Sequence, residues 1–181
     1  MQRRIFIGID LPGQVKKRLA QKIEKWKELP IKWLKEDNFH ITLSFLGYLE
    51  DEDLSRICES ISDASNDTDM FDIELDKIEL GPEKGKDARL VWFSGQSNEE
   101  LKNLQQKIEK TLGIFKAEKK EFYPHVTMGR IRKNKWQALE IIPEIDEDFK
   151  VSIPVEEVSV FDSRSEETAG KFAIIESCSL R

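Results

Sequence analysis

The sequence predicts an α+β fold of two pseudo-symmetric lobes, each an antiparallel β-sheet with helices on its outside, with two His-x-Thr strands lining a central cleft. Three observations lead there. Short apolar or alternating runs and amphipathic helical segments follow one another along the chain. The succession of strand, helix, strand, helix and strand occurs twice. The only two histidines sit in the same short phrase, Phe39-His40-Ile41-Thr42-Leu43 and Pro124-His125-Val126-Thr127-Met128. They lie 85 residues apart, a spacing too long for a solenoid repeat and suited to a duplicated lobe.

The elements follow in order. Residues 5–10 read as a short buried strand closed by Leu11-Pro12-Gly13. Over 14–29 the apolar Val15, Leu19, Ile23 and Trp26 recur at helical spacing among lysines and glutamates. After Pro30 comes the strand carrying His40, ending near Gly47. A second helix spans 51–64, with Leu54, Ile57, Cys58 and Ile61 on one side, and 71–80 alternates as a strand. The second round has a strand at 89–93, a helix at 98–112 marked by Leu101, Leu104, Ile108 and Leu112, and a strand at 125–131. A short helix around 136–139, a strand at 151–161 and a last strand at 171–178 complete it. Residues 81–87, rich in Gly, Pro and charge, are the expected crossing. The chain is therefore expected to be one domain, lobe one at roughly 1–80 and lobe two at roughly 88–181, with strand exchange between them left open.

With 181 residues, 39% hydrophobic and 35% charged, the composition is that of a soluble globular protein able to bury a core. No apolar run approaches a membrane span, and Arg3-Arg4 precede only a strand-like stretch, not a signal peptide, so a cytoplasmic location and no membrane partner are expected. Cys58 and Cys178 have neither zinc-site spacing nor a framework of bridges. A net charge of −6 argues against nonspecific coating of long nucleic acid, whereas a small or terminal phosphate needs only local positive charge. Gly-rich phosphate loops and Ser-His or Cys-His arrangements are absent. No carboxylate stands at a spacing from either histidine that would gather a metal set, so no metal and no cofactor are expected.

His and Thr two residues apart on a strand share a face, so each phrase sets an imidazole beside a hydroxyl while Ile41 and Val126 face the core. A single strand histidine is usually structural. Two of them, each followed by a hydrophobe and then Thr in matching positions of a repeat, point to shared chemistry. One imidazole can remove a proton while the other donates one. That division suits phosphodiester hydrolysis, with water activated on one side of phosphorus and the departing oxygen protonated on the other.

Thr42, Thr127 and Arg130 would hold the non-bridging oxygens. Arg132, Lys133 and Lys135 extend a basic strip that either binds neighbouring phosphates or is a solvated strand end. Trp33, Phe39, Trp92 and Tyr123 flank the motif strands. Aromatics there more often fill a core, but Phe39 and Tyr123, just outside the histidines, are the candidates for stacking a base. Asp10 could orient a histidine, although it reads more simply as a turn residue before Leu-Pro-Gly.

These phrases resemble the two-histidine phosphoesterase superfamily and, within it, the RNA 2′,3′-cyclic phosphodiesterases of the ThpR or LigT type, formerly described as 2′-5′ RNA ligases. Residues 4–12 are similar to that family's opening strand. Trp33 with residues 38–47 resembles its first signature, residues 89–92 the strand opening its second lobe, and residues 124–130 its second signature. Ser163-Arg164 and Gly170-Lys171-Phe172 are similar to its ending. The resemblance implies hydrolysis of a terminal RNA 2′,3′-cyclic phosphate to a 2′-phosphate; a monomer is expected. In that scheme His40 protonates the leaving 3′ oxygen, His125 activates water, and Thr42, Thr127 and Arg130 hold the phosphate.

A cyclic phosphodiesterase of small nucleotides such as ADP-ribose 1″,2″-cyclic phosphate would share the site. A non-catalytic binder of RNA ends or nucleotides is the alternative of another class. Three features depart from the family: residues 81–87 lack a proline-rich loop, Ser165-Glu166-Glu167 make the C-terminal loop acidic, and Phe172 stands where Tyr is common. None is expected to touch the motifs.

Overall fold

A computed structural model of the chain describes residues 2–114, 122–163 and 170–181. Arg164 and the acidic Ser165-Glu166-Glu167, singled out above, lie outside the described residues. The elements are β1 (Gln2–Asp10), α1 (Gly13–Ile23), β2 (Ile31–Trp33), β3 (His40–Glu50), α2 (Asp51–Asn66), β4 (Phe71–Gly81), β5 (Leu90–Ser94), α3 (Glu99–Thr111), β6 (His125–Ile131), α4 (Lys133–Gln137), β7 (Asp146–Val155), β8 (Glu157–Asp162) and β9 (Ala173–Ser179). The strands form a nine-stranded sheet in the order β7-β4-β5-β6-β3-β1-β8-β9, with β2 joined to β6 off that path. Every pairing between these strands is antiparallel. The expected α+β class with antiparallel sheet and covering helices is therefore what the chain adopts.

Burial follows the sequence pattern. In β1, Ile5, Ile7 and Ile9 are buried in the core while Phe6 turns to the other face, the period of two that a strand imposes. The helices bury Val15, Leu19 and Ile23, then Ile57, Ile61 and Ala64, then Leu101, Leu104 and Ile108. These stripes recur every three or four residues, so each helix lays one apolar side on the core and leaves its charges in water. At the start of α3 the Asn98 side chain accepts from the Leu101 backbone N–H at 2.8 Å, satisfying an amide that the helix itself cannot.

Beyond shifts of a few residues at element ends, as at α4 and β3, three departures from expectation stand out. The first helix gives way at Glu24 to a 3-10 turn through Trp26, short of Leu29, the residue that Pro30 drives toward extended backbone. The three-residue β2 carries too little pattern to be read in advance. The single strand expected over 151–161 is two strands broken at Glu156: β7 pairs with β4 at one end of the sheet, and β8 pairs with β1 toward the other. Pro154 is tolerated because β7 is an edge strand.

The strands do not sort by sequence half. β4 lies between β7 and β5, while β8 and β9 extend the sheet beyond β1. Helix α1 makes the same crossing: Arg18 and Lys22 lie over the Phe149 ring of β7 at 4.7 and 5.1 Å, and Lys22 and Lys25 both pair with Glu147.

Candidate active site

The two histidine strands are neighbours. β3 and β6 meet with Ile41 opposite Val126, each 0% exposed. Because the strands run in opposite directions, continuing this register sets His40 toward Thr127 and Thr42 toward His125. Alternation turns all four away from the core that Ile41 and Val126 occupy. Two imidazoles and two hydroxyls thus form a diagonal quartet on one face.

Each ring is oriented by its own strand entry. His40 Nδ1 lies 2.7 Å from the Asn38 carbonyl oxygen, and His125 Nδ1 lies 3.0 Å from that of Tyr123. A carbonyl can only accept, so each Nδ1 carries the hydrogen and each Nε2 presents a lone pair. His40 Nε2 lies 2.9 Å from Thr42 Oγ1, whose hydroxyl donates to it.

The surroundings favour neutral rings. His40 is boxed by Phe6 at 4.6 Å, Phe161 at 5.5 Å and, edge-on, Phe172 at 5.5 Å. Burial drives its pKa from 6.5 down to about 4; the Asn38 carbonyl and Asp10 oppose the shift, and Lys16 and His125 add to it. The His125 ring lies 4.6 Å from Trp92. Burial also lowers its pKa, against the pull of the Tyr123 carbonyl.

The strands flanking the pair bring different groups. Asp10 lies across from His40 in the β1 register, but its Oδ1 binds Lys16 Nζ at 2.7 Å, and the orienting bond to His40 comes from Asn38 instead. Ser94 lies across from His125 and donates to Glu79 Oε1 at 2.9 Å. Among the described residues no group of three or more His, Cys, Asp and Glu side chains comes together as a metal set, and no helix is long and apolar enough to cross a membrane.

Arg130 reaches this face through an irregularity. Three positions after Thr127, a regular strand would turn it to the core side. The β5–β6 register shifts between Val91 and Trp92, so that Trp92 opposes Thr127 while Val91 opposes Gly129 and Leu90 opposes Arg130. The extra residue is Met128, a bulge that restores Arg130 to the side of Trp92 and Thr127. Gly129 allows β2 to close on this stretch, since a Cβ there would stand 2.6 Å from Ile31 Cγ2 and 2.8 Å from Trp33 Cε3.

Comparison with known proteins gives the family and the fold. The model of the 2′-5′ RNA ligase superfamily matches residues 15–167. The chain belongs to that superfamily, the two-histidine phosphoesterases of LigT type. It is 27% identical over 181 aligned residues to the RNA 2′,3′-cyclic phosphodiesterase of Thermotoga maritima, covering 97% of this chain and 94% of that one. With the RNA 2′,3′-cyclic phosphodiesterase of Methanocaldococcus jannaschii it shares 30% identity over 129 residues, 71% and 72% of the two chains. The fold is shared with TT0787 of Thermus thermophilus, at a TM-score of 0.78 and 23% identity over 98% of both chains. It is shared likewise with E. coli LigT complexed with 3′-AMP, at 0.76 and 21% over 99% of both.

Against this two-histidine phosphoesterase fold the remaining expectations sort themselves. Phe39 is 0% exposed in the hydrophobic core, so it cannot stack a base; the 3-10 turn Glu36–Asn38 delivers it inward before His40 turns outward. Tyr123 is half exposed beside His125. Arg132, Lys133 and Lys135 are exposed at the end of β6 and on α4. Phe172, expected to stay clear of the motifs, touches His40. Two residues escaped the sequence reading: Asn38, which orients His40, and Phe45, 69% exposed, with its ring 6.0 Å from Phe6. The only sequence sign of Phe45 was a large aromatic inside the first signature.

Proposed function

We propose that this chain hydrolyses 2′,3′-cyclic phosphate ends of RNA to 2′-phosphates by two-histidine acid–base catalysis, without a metal and as a monomer. The observation that carries the reading is the Ile41–Val126 pairing, which turns both His-x-Thr pairs to one face of the sheet. In this reading the halves β7-β4-β5-β6 and β3-β1-β8-β9 are the two lobes, and the seam between β3 and β6 floors the cleft between them. The relatives named above as RNA 2′,3′-cyclic phosphodiesterases support the choice of substrate.

The cyclic phosphate sits over the seam. Thr42 and Thr127 hydroxyls and the Arg130 guanidinium donate to its non-bridging oxygens, where charge builds as phosphorus becomes five-coordinate. His125 takes a proton from water through Nε2, and the water oxygen bonds phosphorus as the 3′ oxygen leaves. His40, protonated on Nε2, gives that oxygen its proton. This polarity follows the family resemblance. Burial favours the neutral form of both rings in the protein alone; a bound phosphodiester anion favours the charged form of an imidazole, so the acid is made in the complex. Phe45, exposed on the same face, offers a ring to the neighbouring base.

The net charge of −6 favours a second substrate class, small cyclic nucleotides such as ADP-ribose 1″,2″-cyclic phosphate. Salt separates the two, because an oligonucleotide bound through several phosphates weakens steeply with salt and a mononucleotide does not. The deciding experiment is hydrolysis of a short RNA ending in 2′,3′-cyclic phosphate, in excess EDTA, across pH. A bell-shaped rate profile yielding only 2′-phosphate is expected. No turnover, or turnover abolished by EDTA, overturns the proposal.

A further inference from the structure

Asn38 is 7% exposed and serves two different partners through its backbone and its side chain. Its carbonyl accepts from His40 Nδ1 at 2.7 Å. Its side chain reaches a segment more than 130 residues away: Oδ1 accepts from the Phe172 backbone N–H at 2.8 Å, and Nδ2 donates to the Gly170 carbonyl at 3.0 Å. A buried amide satisfied at both ends by one short stretch of backbone is held as firmly as a rung between strands.

The neighbouring groups reinforce the same junction. Asp37 Oδ2 pairs with Lys171 Nζ at 2.5 Å. The Asp37 carbonyl accepts from Lys16 Nζ at 3.2 Å, and Lys16 in turn binds Asp10. The Phe172 ring, carried by the amide that Asn38 holds, stands edge-on to His40 at 5.5 Å and to Phe6 at 5.4 Å.

We infer that Asn38 is a positioning residue for His40: its side chain anchors to residues 170–172, and its carbonyl transmits that anchorage to the imidazole as a fixed tautomer and ring angle. The catalytic consequence rests on the proton-donor role proposed for His40, but the orientation itself can be read without substrate. A general acid must face the departing oxygen within hydrogen-bond reach, and a displacement of about 1 Å can cost about 100-fold in rate.

The chain has only two histidines, so imidazole resonances can be followed individually by nuclear magnetic resonance, with His125→Gln assigning them. In Asn38→Ala the His40 signal is expected to gain the Nε2–H tautomer and its titration to rise by about one unit or more as the box loosens, while that of His125 stays within about 0.2 unit. Asn38→Asp keeps the acceptor for Phe172 but loses the donor to Gly170, and serves should the alanine variant fail to fold; its titration should rise as well, and its added charge contributes. With the RNA substrate, kcat should fall about 10- to 100-fold in either variant with KM changed less than about twofold. An unmoved His40 tautomer and titration in a folded variant, equal shifts of both histidines, or a wild-type kcat overturns the inference. If the wild-type protein itself does not turn over the RNA, the functional reading is what fails, and the resonance measurement alone decides the role of Asn38.

Discussion

Phe45 and Arg130 hold equivalent places: each stands three residues after a motif threonine, and each reaches the histidine face because its strand carries one extra residue in between. Gly8 opposes Thr42 and Ile7 opposes Ser44, leaving Leu43 unpaired; Trp92 opposes Thr127 and Val91 opposes Gly129, leaving Met128 unpaired. The duplicated motif is thus extended by a duplicated bulge, which delivers a ring on one side of the seam and a guanidinium on the other.

Replacing Arg130 by Lys keeps the charge but loses the planar, two-pronged donor. Steady-state kinetics should show kcat/KM on the cyclic RNA falling about 10- to 100-fold with the melting temperature nearly unchanged, since Arg130 is exposed. A wild-type kcat/KM would remove Arg130 from the phosphate site.

The two phenylalanines around His40 should behave in opposite ways. Phe45→Ala should raise KM for RNA about 5- to 100-fold, the value of one lost base stack, with little change in stability. Phe39→Ala should instead cost about 3–5 kcal/mol in urea unfolding, the penalty of emptying a fully buried aromatic site. An unaltered KM in the Phe45 variant would deny it contact with substrate.

His40→Ala and His125→Ala should each lower kcat by about 100-fold or more while circular dichroism stays native. A wild-type rate in either variant would leave the acid–base scheme without its donor or its acceptor.

Stability should carry the signature of the buried His40. Its folded pKa, about 4, lies below the ordinary 6.5. Above pH 6.5 neither the folded nor the unfolded form binds that proton, and the contribution is complete. As pH falls from 6.5 toward 4 the unfolded chain takes up the proton and the folded one does not, so stability drops by about 1.4 kcal/mol per unit, to a loss on the order of 3 kcal/mol. Urea titrations of wild type and His40→Gln across this window should diverge by that slope; parallel curves would mean that the ring is not held neutral.

Gly81→Ala tests the support of the second histidine. A Cβ there would fall 2.0 Å from Trp92 Cε2, so the indole, 4.6 Å from His125, must shift. Destabilisation of about 1–3 kcal/mol is expected, together with a changed His125 titration. A native stability and an unmoved titration would show that the indole adapts without cost.

What could be read in advance is what repeats locally. The quartet was legible because His-x-Thr needs only the two-residue period of a strand, and Ile41 and Val126 declared the inward side. The helix stripes were legible for the same reason. Phe39 follows the same two-residue alternation, sharing the inward side with Ile41 and Leu43, so closeness to His40 in sequence is no sign of a shared face. The bulges at Leu43 and Met128 leave no mark in the sequence. Asn38 was invisible because its partners, Gly170 and Phe172, become neighbours only in three dimensions, and the break at Glu156 because each half of that run pairs with a different distant strand.

The strand order makes the enclosure of His40 depend on segments from both ends of the chain. Its ring is enclosed by Phe6 from the first strand, Phe161 from the eighth and Phe172 at the entrance to the ninth. While the chain is being synthesised, a segment that ends short of Phe161 already contains both His-x-Thr phrases and Phe6, yet lacks two of the three rings that enclose the first histidine. A prematurely terminated product would therefore carry both motif phrases without the finished pocket around His40.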